Sequence, residues 1–322
     1  MKKLISLLLT LSFVFAFFVG CNKPDAPPVN DGSDPNTPSE QESVPQENPE
    51  TDFEYKKNDD GGITITRYIG ESLDVIIPDK IDNTPVTQIG HLAFVTDFAI
   101  AITPSNEIHS IQMPNTITLI DTGAFTKCNT LESVVLSEKL ITIGAFAFQE
   151  CVKLKHITIP STVREIGDQA FEGAGLETIV FKDGLETIGG YGALSRTQIK
   201  QLVLPSTLKD TGSSTFAACL NLESVVLNEG LVKIGHKSFV SNPKLKEIVI
   251  PKTVEYVTEM DFNVCSGLEK IMFEGNAPAT FEYSDPISGL WEPYNVHFTI
   301  YYHEGAQGFA SPEWYGYPTQ IW

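Results

Sequence analysis

Apolar residues return along this chain with a period much longer than that of a helix or a strand. Short patterns with alternating apolar positions, the signature of a half-buried strand, begin at Ile111, Val134, Ile157, Ile179, Leu202, Val225, Ile248 and Ile271, at intervals of 22 or 23 residues. A small or polar residue followed by Phe recurs in the same register, as Ala124-Phe125, Ala147-Phe148, Ala170-Phe171, Thr215-Phe216, Ser238-Phe239 and Asp261-Phe262, with Ala193-Leu194 as the variant member. Ile-Gly pairs precede several of these, among them Ile143-Gly144, Ile166-Gly167 and Ile234-Gly235. Self-similarity at a fixed short period predicts a repeat solenoid: about nine coils of about 23 residues, rich in β-structure with short turns or helical segments, spanning residues 73–275.

One copy assigns a role to each position. Leu154, Ile157 and Ile159 put apolar side chains on one face of a short strand, and Pro160 ends it because proline donates no ladder hydrogen bond. Val163 and Ile166 begin a second extended stretch, Gly167 is expected to permit a turn, and Ala170-Phe171 inserts a ring between coils. A single coil buries too little apolar surface to offset the entropy of ordering its backbone. Only stacking on neighbours closes the gap, so the phenylalanines should line one interior column.

A second period of two coils overlies the first. Pro114, Pro160, Pro205 and Pro251 take the post-strand position in every other coil, with Ser137, Asp183 and Asn228 between them. In step with this, the residue two before the strand apolar position reads His109, Glu132, Lys155, Glu177, Lys200, Glu223, Lys246, Glu269. Unlike charges are therefore expected on neighbouring coils about 4.8 Å apart, where exposed pairs add little stability but disfavour a one-coil slip.

Outside the repeats the pattern changes. Lys2 and Lys3 precede an apolar run from Leu4 to Phe18, short of a membrane span, so residues 1–20 read as a secretion signal. Residues 22–52 hold seven prolines, eight Asp or Glu and no aromatic residue, a composition that stays extended and solvated. Those 31 residues, at about 3.1 Å each, would reach up to roughly 95 Å. Residues 53–72, with the Asp59-Asp60-Gly61-Gly62 turn, read as a hairpin covering the first coil, and extra residues between Phe94 and Ile111 as a loop. Residues 276–322 hold all three Trp and 12 of the 32 aromatics, enough to cover the other end.

The unit L-x-x-I-x-I-P-x-x-V-x-x-I-G-x-x-A-F-x-x-C, read in Leu154 to Phe171 and completed by Cys128 or Cys151 in the preceding coils, resembles the BspA-like leucine-rich repeats of bacterial surface proteins. The closing run from Ile300 through Gly305, Phe309, Pro312 and Trp314 to Pro318 is similar to the segment that ends such arrays. Gly20-Cys21 resembles the lipobox of bacterial lipoproteins, with Phe18 where that family usually has Leu. The resemblance implies a leucine-rich-repeat array on a lipidated Cys21, anchored in the bacterial cell envelope and exposed at its surface. It implies adhesion to host or matrix proteins or to neighbouring cells, with the membrane reached only through the N-terminal lipid.

Composition and charge narrow the chemistry. With 22 basic against 41 acidic residues and a formal charge of -19, nucleic acid is a poor partner. Cys128, Cys151, Cys219 and Cys265 all follow the Phe position; the first two are near enough in a stack for a disulfide, and the alternative is a ladder of buried thiols. The six histidines form no H-x-x-x-H pair, His297 and His303 share at most one strand face, and no G-x-S-x-G elbow or phosphate-binding loop occurs. No catalytic residue, metal or cofactor is expected. What remains is binding. The outward strand positions Val135, Thr158, Val180, Val203, Val226 and Val249 form a stripe suited to a protein partner, while Trp291, Trp314 and Tyr315 offer an alternative glycan-stacking surface. An envelope enzyme is the third class.

Overall fold

The computed structural model describes residues 46–95, 107–281 and 297–322. The secretion signal, Cys21, most of the acidic stretch, most of the extra residues after Phe94 and Trp291 all lie outside them. The described chain winds into about ten turns of about 23 residues. Its helical backbone is limited to two 3-10 turns, Glu50–Asp52 and Glu259–Phe262.

Each coil contributes to two faces. The front carries the short strands centred on Val75, Ile111, Val134, Ile157, Ile179, Leu202, Val225, Ile248 and Ile271, aligned so that residues one repeat apart are partners, as in Ile157 with Ile179 and Ile248 with Ile271. The back carries strands in a parallel series from Ile63–Tyr68 through Thr84–Ile89, Leu119–Ile120, Thr142–Ile143 and Glu165–Ile166 to Thr187–Ile188, the last four of two residues each. A bridge between Tyr191 and Ser213 makes the next step, and single bridges from Asp210 through Lys233 and Tyr256 to Thr280 follow. Between the faces runs an aromatic column in two stacked runs. Phe94, Phe125, Phe148 and Phe171 stack at centroid spacings of 4.7, 5.1 and 5.3 Å, and Phe216, Phe239 and Phe262 follow at 5.3 and 6.1 Å. Leu194, fully buried, fills the one place without a ring.

A third set of cross-coil bonds runs along the turns beside this column. Phe125 N–H donates to Ala147 O at 2.8 Å, Phe148 to Ala170 at 2.7 Å and Phe171 to Ala193 at 2.8 Å. Most turns also hold two left-handed residues four apart, such as Phe146 and Glu150, Gln169 and Gly173, or Ser214 and Ala218, whereas the turn after Glu259–Phe262 holds Val264 without such a partner. Most are not glycine, so each stores about 1 kcal/mol or more of backbone strain. Their N–H groups point at the next coil, Glu150 to Glu172 O and Ala218 to Val240 O, both at 2.8 Å. The neighbour sustains the conformation.

Gly167 departs from its expected role. Its backbone is not left-handed; a Cβ there would lie 2.4 Å from Ala145 N, and one on Gly235 would lie 2.2 Å from Gly212 O. These glycines let successive coils touch on the back face rather than permitting a turn.

The front ladder is not continuous, and its breaks follow the two-coil period. Strands pair within the couples centred on Ile111 and Val134, Ile157 and Ile179, Leu202 and Val225, and Ile248 and Ile271. Among the described residues no strand pairing joins one couple to the next. The prolines account for part of this. Ile159 O accepts from Lys182 N–H in the following coil at 3.0 Å, so position 160 faces the preceding coil and, being proline, has no donor to offer it. Leu204 donating to Val226 O and Ile250 accepting from Glu274 place Pro205 and Pro251 the same way. Pro114 lies beyond the residues that pair with Asp74–Ile76.

Both ends differ from expectation. The acidic stretch stops short of residue 52: Asn48 N–H donates to Ile76 O at 2.9 Å, and its side-chain oxygen accepts from Ile76 N–H at 2.8 Å, closing the front edge of the first coil. The hairpin strands Phe53–Lys57 and Ile63–Tyr68 extend the ring column by Phe53 and Tyr68. At the other end Thr299–Tyr302 and Tyr317–Ile321 add two more parallel rungs to the front ladder, which raises the coil number above nine. Phe273, Phe281, Phe309 and Trp314 then close the core with centroid spacings of 4.8 to 6.2 Å.

Replacing Phe148, fully buried between two rings, by Ala should cost about 3–5 kcal/mol. Equilibrium denaturation in urea measures it, and a loss under about 1 kcal/mol would mean that the ring column does not hold the stack.

Candidate functional site

The front strands alternate inward and outward residues because side chains in a strand point to opposite faces. Their inward members are core; the outward members form the stripe. Val135, Val180, Val203 and Val226 are 53%, 54%, 49% and 49% exposed, Thr158 is exposed, and Val249 is half-buried. A parallel outward column beside them is polar, with Ser133, His156, Thr178, Gln201 and Ser224; His156 Nδ1 lies 2.7 Å from Thr178 Oγ1. The breaks between couples open shallow grooves in this face. One of about 300 Å³ is lined by Val135, His156 and Thr158, and one of about 680 Å³ by Glu223, Ser224 and Lys246.

The charged column flanks the stripe. Among the described residues only Lys155 and Glu177, 3.5 Å apart, make an ion pair within that column. Glu132 turns instead to Lys153 at 3.4 Å, and both groups stay more than half exposed. The charges of Lys200, Glu223, Lys246 and Glu269 are not spent on one another.

The terminal aromatics divide. Trp314 is buried and packs against Phe281, Phe309 and Tyr315 at 4.8 to 4.9 Å, so it has no ring face free for a sugar. That corrects its assignment to a glycan surface. Tyr315 is 49% exposed, and His303 stacks on Trp322 at 4.6 Å.

The thiols form a ladder rather than a reactive site. Cys151 donates to Phe125 O at 3.1 Å, Cys219 to Leu194 O at 3.4 Å and Cys265 to Phe239 O at 3.0 Å, each bonding the preceding coil. Asn242 does the same for Phe216 O at 3.0 Å. Among the described residues the four cysteines are buried thiols; burial raises Cys151 and Cys219 and pushes Cys265 up to about 11. Thiols so shifted are poor nucleophiles at neutral pH.

One carboxyl is strongly perturbed. Burial pushes Asp261 up to about 7, despite backbone N–H bonds from Thr258 at 2.7 Å and Lys237 at 2.9 Å. It belongs to a structural joint: its oxygen takes the place of the backbone carbonyl that receives the left-handed N–H in other coils. Among the described residues no group of three or more His, Cys, Asp or Glu side chains is placed to hold a metal ion, and no helix is long and apolar enough to cross a membrane.

This arrangement of parallel rungs, stacked rings and a thiol column is that of a known repeat. The BspA type leucine rich repeat region, taken as six copies, matches residues 103–219 and 190–284, more than half of the chain. The chain belongs to the BspA type leucine rich repeat family. Among solved structures, this BspA type chain is 28% identical to a leucine rich repeat protein of T. pallidum, with 62% of this chain and 91% of that one covered and a TM-score of 0.55. A leucine-rich repeat protein from Bacteroides ovatus is 22% identical, over 78% of this chain and 70% of that one, with a TM-score of 0.49. The pneumococcal vaccine antigen PcpA is 16% identical, over 79% and 92%, with a TM-score of 0.42. No curated protein matches the chain.

Asp261 gives this BspA type array a pH dependence. The folded carboxyl keeps its proton up to about pH 7, whereas its ordinary value is 3.8. The folded state therefore holds the extra proton between those values, and the stability it confers is full below 3.8 and falls as pH rises to about 7. Thermal melts of Asp261→Asn should lack the decline that the parent shows from about pH 5 to 7, whatever the substitution costs overall. An unchanged slope would mean that Asp261 is ionised throughout.

Proposed function

We propose that this chain is a lipid-anchored protein of the bacterial surface that binds other proteins through the valine stripe of its solenoid. The observation that carries this reading is the half-exposed run of Val180, Val203 and Val226 on three consecutive coils. A monomeric surface rarely leaves contiguous apolar side chains on a flat sheet face unless something covers them. Repeat arrays suit the task because each outward residue changes without disturbing the core beneath it. The open grooves between couples add relief, and the flanking charges add a means of orienting a partner.

Membership of the BspA type family supports a repeat protein displayed at the surface. The Gly20-Cys21 pair supports lipid anchoring, and the acidic, proline-rich residues after it supply reach. Partners on this reading are proteins of host or neighbouring cells or of the extracellular matrix. The burial of Trp314 leaves protein capture better supported than glycan capture.

Protease treatment of intact cells should digest the protein while periplasmic or cytoplasmic markers survive; protection of the chain would contradict surface display. In pull-downs, Val180→Lys/Val203→Lys/Val226→Lys should lose partners by about tenfold or more while melting within about 3 °C of the parent. Retention of every partner by the folded triple variant would remove the stripe from the account.

A further inference from the structure

The charged column beside the stripe has eight positions, from His109 to Glu269, and its six central members alternate in sign, so those six are complementary to their own reversal. Residues Glu132, Lys155, Glu177, Lys200, Glu223 and Lys246 read minus, plus, minus, plus, minus, plus along the stack; read backwards, every sign is inverted. The pattern of breaks in the front ladder is symmetric about the same point. Couples alternate with breaks, and the central break falls between the strands Thr178–Phe181 and Gln201–Val203. The stripe itself is symmetric there, with Val180 on one side and Val203 on the other at 54% and 49% exposure.

From this we infer that the stripe's partner is a second copy of this chain, packed front to front with the two stacks antiparallel. The dyad runs along the strand direction through the central break. This inference rests on the reading of the stripe as a binding surface and names its occupant.

A two-fold axis in that position keeps each column opposite itself and reverses its order, giving an isologous interface. Glu177 then faces Lys200 of the second copy, Lys155 faces Glu223, and Glu132 faces Lys246. Val180 meets Val203, and Thr158 meets Val226. A parallel arrangement about any other axis lacks this match, because it sets the charged column against residues on the far side of the strands. Among the described residues the column closes only the pair Lys155–Glu177 within one chain, which leaves Lys200, Glu223 and Lys246 to the partner copy. Complementary charges of this kind select orientation, while the buried valines supply affinity. The antiparallel stacks also put the two N-terminal ends at opposite ends of the pair, a geometry suited to molecules held on two facing surfaces.

The test is sedimentation equilibrium of the full chain in a density-matched non-ionic detergent at about 0.15 M salt. The parent should form a reversible dimer, and Lys200→Glu, which sets Glu against Glu177 twice across the dyad, should weaken self-association by about tenfold or more. Glu177→Lys should do the same. The double variant Glu177→Lys/Lys200→Glu restores opposite charges across the dyad and should recover the dimer to within about threefold. Circular dichroism melts within about 3 °C of the parent certify that each variant is folded. A parent that stays monomeric up to about 100 μM, a dimer indifferent to Lys200→Glu, or a double variant no better than the single ones would each overturn the pairing. A monomeric parent that still captures other proteins through the valines would overturn this inference while leaving the binding role of the stripe intact.

Discussion

Every coil of this molecule is held by the coil beside it. Backbone N–H groups of the rungs and turns are satisfied one repeat away, the rings stack one repeat away, and even the thiols donate to a carbonyl of the preceding coil. The left-handed residues in each turn are the clearest sign of this dependence. A non-glycine residue in that region is strained in isolation, yet Phe146, Glu150, Gln169, Arg196 and Ala218 all occupy it, because the next coil receives their N–H groups. Local propensity opposes these turns and the stack imposes them.

That constraint also explains where freedom remains. Two of the three lines of cross-coil contact, the back face and the ring-side turns, run on through the array and fix the step between coils. Glycines on the back face bring coils close enough that no side chain fits between them. The front face is therefore relieved of holding the stack together. It opens at regular intervals, carries proline where a donor would otherwise face the opening, and presents valines and charges that the core does not need. The site is the face with the least structural duty.

The repeat, its length and the interior Phe column were legible in the sequence because each is stated many times in one register. Leu194 was readable as a member of the column from the same register. Phe53 and Tyr68 were not, since the hairpin that carries them has no Ala-Phe motif, although both stack in line with Phe94. Asn48 was hidden in a proline-rich acidic stretch whose composition argues for solvation; one side chain matching the edge of Ile76 overrides that average. The alternating charges were plain in the sequence, but their pairing was not. Long exposed side chains choose among several partners, and Glu132 finds Lys153 instead of its neighbour in the column. Trp314 was readable both as part of the cover over the open end and as an alternative glycan-stacking ring, because aromatic clustering does not say which rings face inward. The open front ladder was foreshadowed by the proline at every second coil, a signal that gains meaning only when the direction of each strand residue is known.

Native-state hydrogen exchange reads the central claim most directly, because it follows the amides of Phe125, Phe148, Phe171, Phe216 and Phe239 separately. If neighbours hold one another, protection rises from both ends toward the middle, and no interior coil opens while the coils on either side stay closed. An interior coil that exchanges on its own, with its two neighbours still protected, would show that the coils are independent units and that the stack is not what folds this chain.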